Sequence, residues 1–436
     1  MGPQLKASLC GELLDLEKSI IEKSSSVEYW LRTEFTNAND LPFYCSVDLR
    51  NSCYKIAPVD TNLFPAGFNN LAEKDLNCTI QAFMACIEKR CPQIENILLV
   101  PENHTRNKHY LENLGNLTYI LTNAGFNVKV GSFSKELKNN LEVNFKKVGG
   151  GESCFEIEPI SYSNGRVGLK NFDSNLILLN NDFSSGVPEQ LLKSNEQLII
   201  PSLNSSWALR SKSNHFSKYD EVSKKFCEFM KFDPWLINPL FEECKKINFK
   251  SRQGENCLYD HISDLLNKIT KKYKEKKIKK KPFVIVKANT GTYGMGVMTV
   301  RDANEIKNLN RKQRNKMSKI KEGMQVTDVL IQEGVYSFET FVDSKTVFVA
   351  EPVVYVVDRY VVGGFYRVHA DRGLDENLNT PGMKFFPLPF EDGCQFPSSS
   401  KDPNSTINRL YFYGVLARLA SLAASNEVCE ISSSLT

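Results

Sequence analysis

No apolar run in this chain approaches the length needed to cross a bilayer. The opening residues Met1-Gly-Pro-Gln-Leu-Lys6 carry neither a hydrophobic core nor the Ser/Thr of a myristoylation signal. A protein without membrane partners, in the cytoplasm, is the expectation. The 12 cysteines contain no Cys-x-x-Cys pair and the 5 histidines do not cluster, which argues against a zinc site and for reduced, mostly structural thiols. Strong charge of one sign is also missing: 24% of residues are charged and the net charge is +4. No Gly-Lys-Ser/Thr closes a glycine-rich loop, so there is no P-loop, and the dinucleotide spacing G-x-G-x-x-G does not occur at the main glycine cluster. No internal repeat is visible.

What is present centres on Pro282-Phe-Val-Ile-Val-Lys-Ala-Asn-Thr-Gly-Thr-Tyr-Gly-Met-Gly-Val297. It reads as a buried strand ending in Lys287, then a loop in which Gly291, Gly294 and Gly296, with Thr292 and Tyr293 between them, let backbone N–H groups approach an anion. Asp302-Ala-Asn-Glu305 reads as a capping box, so the order is strand, loop, strand end, helix. Read alone, the loop is equally compatible with a glycine-rich hairpin turn. Val329-Leu-Ile-Gln-Glu-Gly-Val335 is an apolar strand that turns polar at Gln332 and Glu333. It could line an adenine, with backbone groups at 333–335 reading the base edge. A β-rich run follows over 337–357, and Gly363-Gly364 within Tyr360–His369 carries the turn chemistry of a hairpin.

The order strand-lysine, glycine-rich loop, Gln-Glu hinge, antiparallel strands with Arg367 and then Asn377-Leu-Asn-Thr-Pro-Gly-Met383 resembles the ATP-grasp superfamily. That resemblance implies ATP and Mg2+, the metal held by a Glu-x-Asn segment. Asn379 stands at the asparagine of that segment, but Asn377 occupies its acidic position. Asp375, Glu376, Glu351 and Asp358 are the candidates to supply the missing carboxylate.

A second resemblance covers nearly the whole chain. The segments 44–51, 57–71, 101–107, 287–296, 310–317 and 358–369 are similar to a proteobacterial glutamate–cysteine ligase family. The substrates this implies are L-glutamate, L-cysteine and ATP, joined through a γ-glutamyl phosphate. Arg367 would steady the transferring phosphoryl group or the tetrahedral intermediate, and Lys287 the nucleotide phosphates. Three readings stay open: this ligase; a related carboxylate–amine ligase or phosphotransferase; and a non-catalytic nucleotide- or nucleic-acid-binding protein.

The N-terminal half reads differently. Leu9, Leu13, Leu16 and Ile20 recur at helical spacing. Ile97–Val100, Asn127–Val130, Leu176–Leu179 and Leu198–Ile200 then alternate with helical stretches, as in a parallel sheet. Ligands of such sheets bind beyond the carboxyl ends of the strands. There the polar runs 101–106, 180–186 and 201–206 lie, and with Asp48, Arg50, Asn51, Asp60, Asn62 and Arg106 they suit a zwitterion bearing an extra carboxylate. Arg210 and Lys212 are reserves. The expected fold is α/β: a parallel-sheet substrate domain over 1–250, a basic helix and linker over 251–281, and an ATP-grasp-like α+β region over 282–436. The lysine run 271–281 reads as a solvated helix, not a nucleic-acid surface. Residues 133–174 read as polar and turn-rich, with a loop at 148–152, and Tyr411, Val415, Leu419 and Leu422 as the buried face of a last helix. A homo-oligomer is left open.

Overall fold

The computed structural model describes residues 7–38, 41–103, 107–184, 186–291, 296–318, 325–343, 346–389 and 396–435. It is a mixed α/β fold with three main sheets. The first helix, Gly11–Glu22, forms where the leucine spacing predicts it, and Leu13, Leu16 and Ile20 are fully buried. Burying each such side chain contributes roughly 1.5–3 kcal/mol.

A six-stranded sheet has the expected strands Asn96–Pro101, Asn127–Ser132, Leu176–Asn180 and Leu198–Ile200, all parallel. It is extended by Glu152–Pro159, parallel to its neighbour, and by the antiparallel edge strand Leu141–Lys146. The stretch 133–174 is therefore richer in strands than its polarity suggests. In Leu141–Lys146 only Val143 and Phe145 point inward, the alternation of an edge strand wetted on one face. The loop at 148–152 is present, as a turn through Gly149, Gly150 and Gly151, each at positive φ.

The central sheet joins sequence-distant segments. Tyr44–Asn51 pairs antiparallel with Ile56–Asn62 on one side and with Thr346–Val357 on the other; Tyr360–His369 and Lys384–Pro387 continue the sheet. Residues 44–62 thus share one sheet with residues 340–387, across the expected divisions at 250 and 281. The turn predicted at Gly363-Gly364 lies instead at Asp358-Arg359, and Tyr360–His369 is one continuous strand. Gly363 is at φ +130 beside a register shift, and a Cβ on Gly364 would come within 2.3 Å of the Val353 carbonyl. Those glycines permit a bulge and a close strand approach, not a reversal.

The third sheet is small and antiparallel: Phe241–Cys244, Val329–Glu333, Val284–Ala288 and Val297–Val300, in that order. The helix Glu255–Glu275 packs against it through Leu258, Ile262, Leu265 and Ile269. Lys272 and Lys276, in the basic stretch, pair with Asp233, and Lys276 also with Glu12. The last helix, Thr406–Leu435, buries Tyr411, Val415, Leu419 and Leu422 against the central sheet. Among the described residues no helix is long and apolar enough to cross a membrane.

Candidate active site

Period-two alternation of the central strands puts Tyr44, Ser46, Asp48 and Arg50 on one face, with Glu351, Val353 and Tyr355 of the neighbouring strand. Toward one end this face is apolar: Tyr44, Val353, Tyr355 and Phe365 pack with Phe68 and Phe83. Toward the other end it turns charged, because Glu351 is paired with Arg367 and Asp48 with Asp60 in strand register. The change from apolar to charged side chains occurs between Val353 and Glu351.

Three adjacent chambers open here, the first reaching back over Val353, Tyr355 and Phe365. An inner chamber of about 290 Å³ lies between Asp48, Asp60 and Asn62 and the carboxyl ends of the parallel strands, where Glu102, Asn180 and Asp182 reach it. A chamber of about 100 Å³ is lined by Lys287, Gln332, Glu351 and Arg367. An outer chamber of about 750 Å³ runs along Gly296–Thr299 to Lys316 and Arg372. Asp48, Asp60 and Arg367 line the first two, and Asn379 lines all three.

The charges here are tightly interlocked. Arg367 Nη1 donates to Asp48 Oδ2 at 2.7 Å and to Glu351 Oε1 at 2.6 Å. Arg50 Nε donates to Glu351 Oε2 at 3.0 Å. Lys212 Nζ reaches Asp60 at 3.0 Å, and Lys287 Nζ donates to the Val59 carbonyl at 2.5 Å and Gln332 Oε1 at 2.9 Å. Burial pushes the Asp48 carboxyl up; Arg367 offsets part of this while Glu351 adds to it. Burial acts on Glu351 in the same sense, but Arg50 and Arg367 outweigh it and hold that carboxyl below its ordinary range. Asp60 is likewise held well below it, Lys212 and Lys287 overcoming desolvation. Burial draws the Lys287 ammonium down to about 8, against the pull of Asp60. Two buried donors of residues that line these chambers, Arg367 Nε and Gln332 Nε2, have no hydrogen-bond partner among the described residues. Orphaned donors of this kind suit an anionic or carbonyl-bearing ligand.

The expected site residues divide by placement. Asp48, Arg50, Asp60, Asn62, Lys287, Gln332, Glu333, Val335, Glu351, Arg367, Asn377 and Asn379 line the inner chamber, the lysine chamber or both. Gly296 and Glu376 line the outer chamber. Gly291 and Gly296 are at φ +87 and +62, a backbone few other residues adopt, and they flank the loop end. Arg106, Thr292, Tyr293 and Gly294 lie outside the described residues, as does His104. Arg50, though it lines the cleft, also donates to the Val335 and Glu376 carbonyls, at 3.4 and 2.5 Å, and so braces three segments. Asn51 points to the opposite face, where it binds Glu339 and Tyr413. Asp358 is at the far turn, paired with Arg90 at 3.1 Å. Asp375 pairs with Arg301 at 2.6 Å on the rim.

The Glu333 side chain has a structural part of its own, separate from the backbone role expected at 333–335. Its carboxylate accepts from Lys55 at 2.7 Å, Trp235 Nε1 at 3.1 Å and the Leu240 N–H at 2.9 Å. The Glu333 and Gly334 N–H groups are engaged by the Leu240 and Phe283 carbonyls. An adenine edge would therefore have to be read by other groups of this hinge. Lys55 and Trp235 carry no motif that announces them; each is identifiable only once the fold has put it beside Glu333. Asn180 and Asp182 were signalled by the polar break after Leu176–Leu179.

A family model described as glutamate-cysteine ligase matches residues 17–428. The structure is similar to that of a candidate gamma-glutamylcysteine synthetase from Methylobacillus flagellatus KT, with 48% sequence identity, a TM-score of 0.89 and 99% of each chain covered. A far weaker likeness is to D-alanyl-alanine synthetase A from Vibrio cholerae O1 biovar eltor, at 12% identity and a TM-score of 0.34, covering 74% of this chain and 81% of that one. Among curated proteins no match is found.

Proposed function

The chain belongs to the glutamate–cysteine ligase family, and from that premise we propose that its three chambers hold glutamate, cysteine and ATP in one cleft. The reaction joins the γ-carboxylate of glutamate to the amine of cysteine, giving the γ-glutamylcysteine used to make glutathione. In the ATP-grasp-like reading, the nucleotide lies along the strand ending at Lys287 and the loop ending at Gly296. The amino acids lie in the inner chamber, beyond the carboxyl ends of the parallel strands.

The chemistry is carboxylate activation. The γ-phosphoryl group passes from ATP to a glutamate γ-oxygen, releasing ADP and leaving γ-glutamyl phosphate. The cysteine amine attacks the acyl carbon, the C–O bond to phosphate breaks with its electron pair, and the amine's proton passes to water. No protein nucleophile is required; the residues position reactants and answer spreading negative charge. Lys287 would meet the phosphates. Arg367, which lines both the inner and the lysine chambers, would meet the oxygens in transfer through its unsatisfied Nε. Asp48 and Glu351 hold its guanidinium in place.

The donor set suits Mg2+: Asp48, Asp60, Glu351, Asn377 and Asn379 all line the lysine chamber. Magnesium takes one or two carboxylates and completes its shell with phosphate and water oxygens. Bound there, it would neutralise charge on the triphosphate. Asp358 and Asp375, turned away and paired elsewhere, are not part of this proposal.

The observation that carries the reading is the position of Arg367, shared by two chambers with one buried donor unused. The test is ADP release from Mg-ATP and glutamate, with and without cysteine, together with mass detection of the dipeptide. Cysteine-dependent ADP and matching γ-glutamylcysteine support it. Turnover only with another amine would keep the cleft and discard the second substrate. ATP binding without turnover for any acid and amine would overturn the catalytic reading.

A further inference from the structure

We propose that Cys244, Cys257 and His261 form a binding site for one soft divalent cation of the zinc class on the outer side of the small sheet. Cys244 ends the edge strand Phe241–Cys244, and Cys257 and His261 sit four residues apart on the helix Glu255–Glu275, hence on one of its faces. One ligand atom from each residue lies within 4.8 Å of the other two. Among the described residues no other group of three or more His, Cys, Asp and Glu side chains comes together so closely. The spacing is Cys-x12-Cys-x3-His, with none of the short pairs that mark zinc sites in a sequence. The sequence spacing gives no reason to expect such a group; the fold brings together residues that the spacing keeps apart.

Thiolates and an imidazole are the donors that zinc prefers over magnesium or calcium. The two sulfurs are 3.2 Å apart. A tetrahedral ion with Zn–S bonds of about 2.3 Å would set them about 3.8 Å apart. Cys257 is exposed, so it can swing out by that small amount, and its exposure also gives the ion a path in from solvent. Glu242 Oε2 lies 3.8 Å from His261 Nδ1, and the other oxygen, Oε1, accepts from Lys268 at 2.5 Å. A carboxylate is thus at hand to orient the imidazole, as is common behind metal-ligating histidines. Three protein ligands leave the fourth position for water. A disulfide between Cys244 and Cys257 would use two of the three residues and give His261 no part.

The site goes beyond the ligase reading and does not depend on it. Cys244 is the register partner of Val329, and its neighbour Glu243 accepts from Asn289 Nδ2 at 2.7 Å and Ser213 Oγ at 2.9 Å. An ion here ties the helix Glu255–Glu275 to the sheet that carries Lys287 and Gln332.

The test uses the full chain, reduced and stripped of metal by a chelator, titrated with Co2+ alone as a spectroscopic probe and then with Zn2+. One equivalent of Co2+ is expected to give thiolate-to-metal charge-transfer absorption and tetrahedral ligand-field bands, both removed by one equivalent of Zn2+. Cys257→Ser is expected to lower Zn2+ affinity by about 10–100-fold or more and to weaken the charge-transfer band. His261→Ala lowers affinity while leaving that band in place. Neither position is buried, so both variants fold. The proposal is overturned if the reduced, folded protein gives no cobalt–thiolate band, or if Cys257→Ser binds Zn2+ as the unaltered chain does. A Cys244–Cys257 disulfide in the isolated protein, with no metal uptake after reduction, overturns it equally and assigns the pair to thiol chemistry.

Discussion

Two buried charge clusters, one at Glu333 and one at Arg367, are built from similar parts and finished differently. Around Glu333 every group is answered: the carboxylate takes three donors, and the Lys55 ammonium also sits 4.2 Å from the centre of the Trp235 ring. Side-chain exposure there is 1% for Lys55 and 0% for Glu333. Around Arg367 two carboxylates are answered but the guanidinium is not, and its free Nε belongs to a residue that lines two chambers. Incomplete bonding alone does not mark a site. Arg210 and His215 also have unbonded buried nitrogens, yet they line none of the three chambers. Orphaned donors together with an opening distinguish a cluster awaiting a ligand from one that braces the fold.

Lys55→Met tests that contrast where the effect is largest. It keeps the length of the side chain but leaves Glu333 as an uncompensated buried charge, which costs about 3–5 kcal/mol. Denaturant unfolding should show that loss, while turnover per folded molecule stays within about tenfold of normal. Unchanged stability with a large loss of turnover would reverse the assignment of the two clusters.

Arg367→Ala should do the opposite, lowering turnover by about two to three orders of magnitude, the usual cost of a key electrostatic donor. Because Asp48 and Glu351 also lose their partner, some stability is lost as well. Arg367→Lys separates the two effects: charge is kept and the planar fork is not. It should restore most of the stability and leave turnover at least about tenfold down. Near-normal turnover in folded Arg367→Ala would remove the residue from the chemistry.

The same contrast explains what could be read from the sequence. Lys287, the glycines after it and Gln332 belong to short continuous segments whose strand and loop character is local, and the parallel strands announced themselves as apolar runs. Arg367 and Asp48 lie 319 residues apart, and their pairing depends on two N-terminal strands inserting beside Thr346–Val357. Nothing in the local pattern of either segment encodes that. Polarity misled in the edge strand Leu141–Lys146, where one wetted face outweighed the two inward side chains. At Glu333 the sequence shows only the polar end of a strand; that its carboxylate meets Lys55 depends on a contact 278 residues away.

Lys287 offers the smallest effect and the sharpest sign. Its ammonium titrates near 8 in the folded protein against an ordinary value of 10.5, desolvation being the largest cause. Between those values the unfolded chain holds the proton more tightly, so this group's contribution to stability rises with pH across the window. Phosphate binding needs the charged form and must run the other way. kcat/KM for ATP, with glutamate and cysteine saturating, should therefore fall above pH 8, approaching about tenfold per unit. The anionic triphosphate favours the ammonium, so the same limb should lie at higher pH in kcat than in kcat/KM. In Lys287→Arg the charge no longer titrates in this range, and the limb should vanish while the overall rate falls modestly. A limb that survives in Lys287→Arg belongs to another group, and Lys287 would then join Glu333 as a brace.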